Sequence, residues 1–143
     1  MGNRMKARIK WVENACLMAE AESGHGVVID GAGEIGGRNL GVRPMEMILM
    51  GLGGCTAMDV LSILKKQRQN ITDCVIEVSG QRREQHPKIF TDIHIHYIIT
   101  GRDLKKNLVK RAVDLSAETY CSVSAMLGKS ANITHDYEIV ELA

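Results

Sequence analysis

A chain of 143 residues with 45% apolar and 24% charged side chains is long enough to bury a core and has the composition of a globular protein. A formal net charge of +1 without a basic block argues against a nucleic-acid partner and against an anionic membrane surface. Aromatics supply only 3% while methionines number eight, so aliphatic and Met side chains must fill the interior.

The four cysteines, Cys16, Cys55, Cys74 and Cys121, form no CxxC pair, and no Cys/His spacing resembles a structural zinc site. The N-terminal stretch is charged and lacks the apolar core of a signal peptide, which predicts a cytoplasmic, reducing location. Permanent disulfides are then not expected, whereas a transient redox disulfide is compatible with that compartment.

In chain order, Ala7, Ile9 and Trp11 alternate with Lys6, Arg8 and Lys10, the pattern of a half-buried strand. Cys16 to Ala21 and Val27 to Ile29 read as two further strands, separated by turns at Glu13-Asn14 and Ser23 to Gly26. Asp30 to Arg43 holds five glycines and no periodicity and is expected to be a loop. Its GxG is too weak to be a dinucleotide fingerprint.

Pro44 to Lys66 then reads as one helix, roughly 36 Å long at about 1.5 Å per residue, with proline at its first position. It is apolar nearly all round, which predicts burial on most sides. Its length would span a bilayer, but Glu46, Asp59 and its glycines favour burial between protein layers, so no membrane partner is expected.

Ile71 to Glu84 alternates, with Cys74, Ile76 and Val78 on one face, and Ile89 to Thr100 follows with Ile93, Ile95, Tyr97 and Ile99 inward. Asp103 is read as the N-cap of a helix over Leu104 to Ala117. A short helix starts near Cys121 and ends at Gly128, and Ile133 to Val140 is a last strand. The predicted architecture is α+β, in the order βββ-α-ββ-α-α-β, as a single domain over residues 1–143.

Cys55 sits in the middle of the apolar helix, directly after Gly53-Gly54. A buried cysteine is ordinarily a small core residue, and a reactive one needs access and a lowered pKa. Cys121, near a helix N-terminus, would have its thiolate favoured by exposed N–H groups, or would simply face the core of a short helix. Cys16 and Cys74 lie on apolar strand faces and are read as structural.

Glu46 and Cys55 are nine residues apart, about half a turn out of phase at 3.6 residues per turn. Asp59 is one turn after Cys55, and a carboxylate there would raise the thiol pKa. A cation must therefore come from outside the helix, and Arg38 and Arg43 are the nearest in sequence. His94 and His96 share one strand face but need no role beyond the polar side of an amphipathic strand, so no metal is expected. No Ser/His/Asp order, G-x-S-x-G or P-loop is present.

Two motifs together resemble the OsmC/Ohr superfamily of thiol-dependent peroxidases, most closely its OsmC-like branch. One is PMEMILMGLGGCTAMDV at Pro44 to Val60, and the other is YCSVSA at Tyr120 to Ala125. The resemblance implies an intertwined homodimer in which the long helices pack together and sheets come from both subunits. It implies that Cys55 attacks a hydroperoxide as thiolate and becomes a sulfenic acid, and that Cys121 resolves it to a disulfide. A dithiol reductant, lipoyl-type in some members, then resets the pair, and no cofactor is required.

The resemblance also implies an activating arginine held by a glutamate. Here the position after the helix proline is Met45, and the carboxylate falls one place later at Glu46. Arg38 is the preferred activating residue and Arg43 the reserve. Ser122 stands where the family has proline after the second cysteine. The alternative is a dimer of the same fold that binds a small apolar or thiol ligand near Cys55 without turnover, with Met47, Met50 and Met58 supporting the pocket.

Overall fold

The computed structural model describes residues 4–143. They form two compact units, the first ending at Ile48 and the second comprising Leu49–Ala143. The element order is the expected βββ-α-ββ-α-α-β, a mixed α+β fold with two sheets.

In the first unit, strands β1 (Ala7–Glu13), β2 (Cys16–Ala21) and β3 (Gly26–Ile29) make an antiparallel meander. The turns between them use Asn14 (φ 51°) and Gly24 (φ 93°), residue types that tolerate the left-handed region. The glycine-rich segment has more structure than its lack of periodicity suggests. Buried Asp30 organises it, accepting the amides of Gly31 at 2.7 Å, Leu40 at 3.1 Å and Arg38 at 3.3 Å. One 3-10 turn covers Gly33–Ile35, and Val42 returns to bridge Ile29 in parallel. Glycine is required where the segment closes on itself, because a Cβ at Gly37 would strike the Gly31 carbonyl and one at Gly41 the Val28 carbonyl.

Helix α1 (Pro44–Lys66) is unbroken through its glycines. Its buried residues are Leu52, Thr56, Val60 and Leu64, a single stripe at four-residue spacing. One chain supplies only part of the expected burial: Met50 and Met58 remain 58% and 75% exposed within it. Apolar composition all round predicts that something covers every face, but it does not say that the same chain does so.

In the second unit, β4 (Asn70–Arg82), β5 (Phe90–Arg102) and β6 (Asn132–Glu141) form a sheet in that order. β4 and β5 are antiparallel, whereas β5 and β6 are parallel. A parallel pair needs a crossover, supplied here by helices α2 (Lys106–Leu115) and α3 (Ser122–Leu127). Ile93, Ile95, Tyr97 and Ile99 are buried on the inner face of β5, as the alternation predicts. On the outer face His94 and His96 form a ladder with Asp136 and Glu138 of β6, at 2.7–3.0 Å.

Two helix boundaries differ from expectation. Asp103 is not an N-cap: it adopts φ 53°, and α2 starts three residues later behind Lys105. Remote side chains meet the unpaired amides instead. The Glu141 carboxylate takes those of Asp103 and Leu104 at 2.7 and 3.0 Å, and Gln69 takes that of Lys105 at 2.9 Å. At the other end α2 stops at Leu115, two residues short of the expected Ala117, and a π-helical turn, Ser116–Tyr120, fills the stretch before α3.

Candidate active site

The second unit brings Cys55, Asp59 and Cys121 together, with the two sulfurs and a carboxylate oxygen all within 4.8 Å of one another. Cys55 and Asp59 are four residues apart on α1 and therefore share a face. Both are half-buried, at the edge of the Leu52–Thr56–Val60–Leu64 stripe. Cys121 caps α3 and is buried, its Sγ accepting the Ser124 amide at 3.4 Å. No disulfide joins the two thiols.

Burial pushes the Cys121 thiol up from its ordinary value; Ser124 donors oppose this shift and the neighbouring Cys55 adds to it. The expectation that the helix end would favour the Cys121 thiolate is thus outweighed. A six-residue helix offers little dipole, and removal from water penalises the anion directly. Cys74 is also pushed up, by burial first and by Asp73 second.

A buried hydroxyl network lies under the thiols. Thr56 Oγ1 is 2.6 Å from the Tyr97 hydroxyl and 2.7 Å from Ser116 Oγ. Ser116 Oγ also donates to the Asp59 carboxylate at 3.2 Å. Thr56, Tyr97 and Ser116 are fully buried. The chain therefore links β5, α1 and the π-helical turn that precedes Cys121. π-Helical turns are commonly found at functional sites. Thr56 was visible in the sequence as a polar residue beside Cys55 in an apolar helix. Ser116 and Tyr97 carried no local signal, because only the crossover brings them to α1.

The other candidate residues lie in the first unit. Arg38 is exposed and pairs with Glu13, which raises its already high pKa further. Arg43 donates to Asn39 Oδ1 at 2.8 Å and to the Gly41 carbonyl at 3.2 Å. The Glu46 carboxylate accepts the Arg43 amide at 2.8 Å. With Arg43 just before Pro44, this is the return half of a capping box, which satisfies one unpaired donor at the start of α1. Asp30, which sequence reasoning passed over, holds the amide of Arg38 itself.

Known proteins share this fold. Residues 36–136 match the family model described as OsmC-like protein. Protein YhfA of Escherichia coli (strain K12) is 52% identical over 95% of this chain and 98% of its own length. The crystal structure of a hypothetical protein from Aquifex aeolicus is 32% identical, covers 99% of this chain and all of its own, and superposes with a TM-score of 0.87. An organic hydroperoxide resistance protein from Legionella pneumophila, 18% identical with each chain covered to 98%, shares the fold at a TM-score of 0.71.

Proposed function

The chain belongs to the OsmC-like protein family, and from that premise we propose that it is a two-cysteine hydroperoxide reductase. Its substrates are organic hydroperoxides, with hydrogen peroxide as a second class. The observation that carries this reading is the convergence of the Cys55 and Cys121 sulfurs within 4.8 Å.

In the proposed cycle the half-buried Cys55 attacks one peroxide oxygen as thiolate. The O–O bond breaks, the alkoxide leaves with a proton as alcohol, and Cys55 becomes a sulfenic acid. Cys121 then attacks the sulfenic sulfur, and hydroxide leaves as water with the Cys121 proton. The resulting S–S bond is about 2.05 Å, so the sulfurs close by up to about 2.7 Å. The junction between the π-helical turn and α3, where Cys121 sits, is the segment proposed to move. A dithiol reductant of the lipoyl class returns both cysteines to thiols and leaves as its own disulfide.

Arg38 is the proposed activating cation, with Arg43 in reserve. Glu46 is the proposed positioning residue, because it ties the end of the glycine-rich segment to α1 through the Arg43 amide. The proposed assembly is a homodimer in the cytoplasm, in which a second copy covers the exposed apolar faces of α1. By length and composition α1 would also cross a membrane. The family fold and the buried stripe with its polar Thr56 favour a core helix instead.

The reaction is tested by stopped-flow mixing of reduced protein with cumene hydroperoxide and with hydrogen peroxide, followed by mass spectrometry. The expected product is a Cys55–Cys121 disulfide. Cys121→Ser is expected to stop at a trappable sulfenic acid on Cys55. A rate no faster than that of a free thiol, with no disulfide, refutes the reading.

One feature favours the second reading, a binding protein without turnover. An apolar groove of about 400 Å³ runs along α1 on the flank away from Cys55, lined by Met50, Gly53, Ala57, Cys74, Ile76 and Val78 among others, so this reading places the ligand beside Cys74 and not at Cys55. Under that reading cumene-like ligands bind with no consumption of peroxide.

A further inference from the structure

We propose that Cys55, Asp59 and Cys121 form a binding site for one Zn²⁺ ion per chain. The convergence of two thiol sulfurs and a carboxylate oxygen within 4.8 Å is the observation behind it. A redox pair needs the sulfurs alone; Asp59 needs a separate explanation. Its negative charge disfavours ionisation of the thiols beside it. Within residues 49–143 no Lys, Arg or His forms an ion pair with it, and it is held by the neutral Ser116 hydroxyl at 3.2 Å. Among residues 49–143, then, three groups able to carry negative charge converge with no cationic side chain paired to the carboxylate, and a divalent ion fits that demand.

The donor set suits zinc. Thiolate sulfur and carboxylate oxygen bind Zn²⁺ at about 2.3 Å and about 2.0–2.2 Å in tetrahedral geometry. That geometry sets ligand atoms roughly 3.5–3.8 Å apart, so the trio closes by about 1 Å from its present limit of 4.8 Å. Ser116 and the Ser124 amide orient two of the ligands from outside, at Asp59 and at the Cys121 sulfur. Three protein ligands leave one position for water. The outer-face ladder of His94 and His96 is a poorer site, because both ring nitrogens of each histidine already have protein partners. No sequence spacing announces the trio: two ligands are one helical turn apart, and the third arrives across the β4–β5 hairpin and α2.

Binding displaces two thiol protons per ion and holds both sulfurs as thiolates. The zinc form and the Cys55–Cys121 disulfide are then mutually exclusive. The inference does not require peroxide turnover, and its test contains no peroxide.

The reduced full-length protein, stripped of metals, is titrated with Zn²⁺ against a chromophoric chelator, with proton release followed in weak buffer. One ion per chain and about two protons are expected. Loss of even an outer-shell partner costs metal sites about 10–100-fold. Cys55→Ser, Cys121→Ser and Asp59→Asn, checked by circular dichroism for folding, are each expected to weaken binding by at least that factor. Wild-type protein gives an independent readout. Bound zinc should shield Cys55 and Cys121 from alkylation while Cys16 and Cys74 react as in its absence. No stoichiometric binding, or shielding that ignores Cys55 and Cys121, overturns the proposal. If the protein binds zinc at this site but its reduced, metal-free form consumes no peroxide, the zinc proposal stands and the reductase reading fails.

Discussion

Replacing Thr56 by valine removes one oxygen from the centre of the second unit and nearly nothing else. Thr56 is fully buried, and its hydroxyl lies 2.6 Å from the Tyr97 hydroxyl and 2.7 Å from Ser116 Oγ. After the change Ser116 keeps acceptors in the Thr56 carbonyl at 3.4 Å and Asp59 at 3.2 Å. The buried Tyr97 hydroxyl loses its Thr56 partner. A stranded buried hydroxyl costs about 1–3 kcal/mol, and the lost Ser116 bond adds about 1 kcal/mol. Thr56→Val should therefore cost about 2–4 kcal/mol, or roughly 6–12 °C in melting temperature for a chain of this size. Urea unfolding at one fixed protein concentration measures it, since association would otherwise shift the midpoint. The double variant with Tyr97→Phe separates the stranded hydroxyl from lost packing. Removing the Tyr97 oxygen as well should recover about 1–2 kcal/mol relative to the sum of the single changes. A single-variant cost below about 1 kcal/mol, or strict additivity in the cycle, refutes the view that this network holds α1 to β5 and to the turn before Cys121.

The remaining predictions concern the first unit and the outer face of the second sheet. Asp30 has its carboxyl held below the ordinary value, chiefly by the Gly31 amide with Leu40 and Arg38 behind it. Its contribution to stability is complete above the unfolded value near 3.8 and is lost as pH falls through the folded one. Thermal melts from pH 7 to pH 3 should fall more steeply for wild type than for Asp30→Asn, and parallel curves would contradict this. His96 is shifted the other way, raised first by Glu138 and then by Asp136. Its stabilising effect is full below the unfolded value of 6.5 and fades as pH rises through the folded one, so urea midpoints at pH 6 and pH 9 should differ more for wild type than for His96→Gln. Glu46→Ala removes the acceptor of the Arg43 amide and should cost about 1 kcal/mol in urea unfolding, with Glu46→Gln retaining most of it.

The fold was largely legible because its elements announce themselves locally. The alternation of Ile93, Ile95, Tyr97 and Ile99 needs only a period of two, and α1 needs only Pro44 followed by good helix formers. What was not legible depends on residues far apart in the chain. The start of α2 moved from Asp103 because Glu141 and Gln69 arrive from elsewhere to hold its amides. The glycine-rich segment has no periodicity, yet one carboxylate at Asp30 organises it, and the cue was no more than an Asp-Gly step at its start. The pairing of Cys55 with Cys121 follows from no spacing rule. It entered through likeness to a family; Thr56 sits inside the motif that carries the likeness and Tyr97 in the inward alternation of β5, but only the folded chain joins them to Ser116.

The phase of α1 explains why a cysteine in so apolar a helix is available for chemistry at all. Leu52, Thr56, Val60 and Leu64 are sealed against the sheet side of the unit. Leu49, Gly53 and Ala57 border that stripe on one side, where Gly53 lies so near Val78 that a Cβ would be 3.3 Å from its side chain. Cys55, Asp59 and Ile63 border it on the other and are half-buried. A residue one place later than Cys55 would be core, as Thr56 is, and a residue three places later would be in solvent, as Met58 is at 75% exposure. Only the seam is both shielded enough to place a thiol against Cys121 and open enough to admit a small reactant or an ion. Shifting the cysteine by one position, as in Cys55→Thr with Thr56→Cys, keeps composition intact but moves the sulfur into the core. That variant should retain the helix by circular dichroism yet lose both zinc shielding and peroxide reactivity.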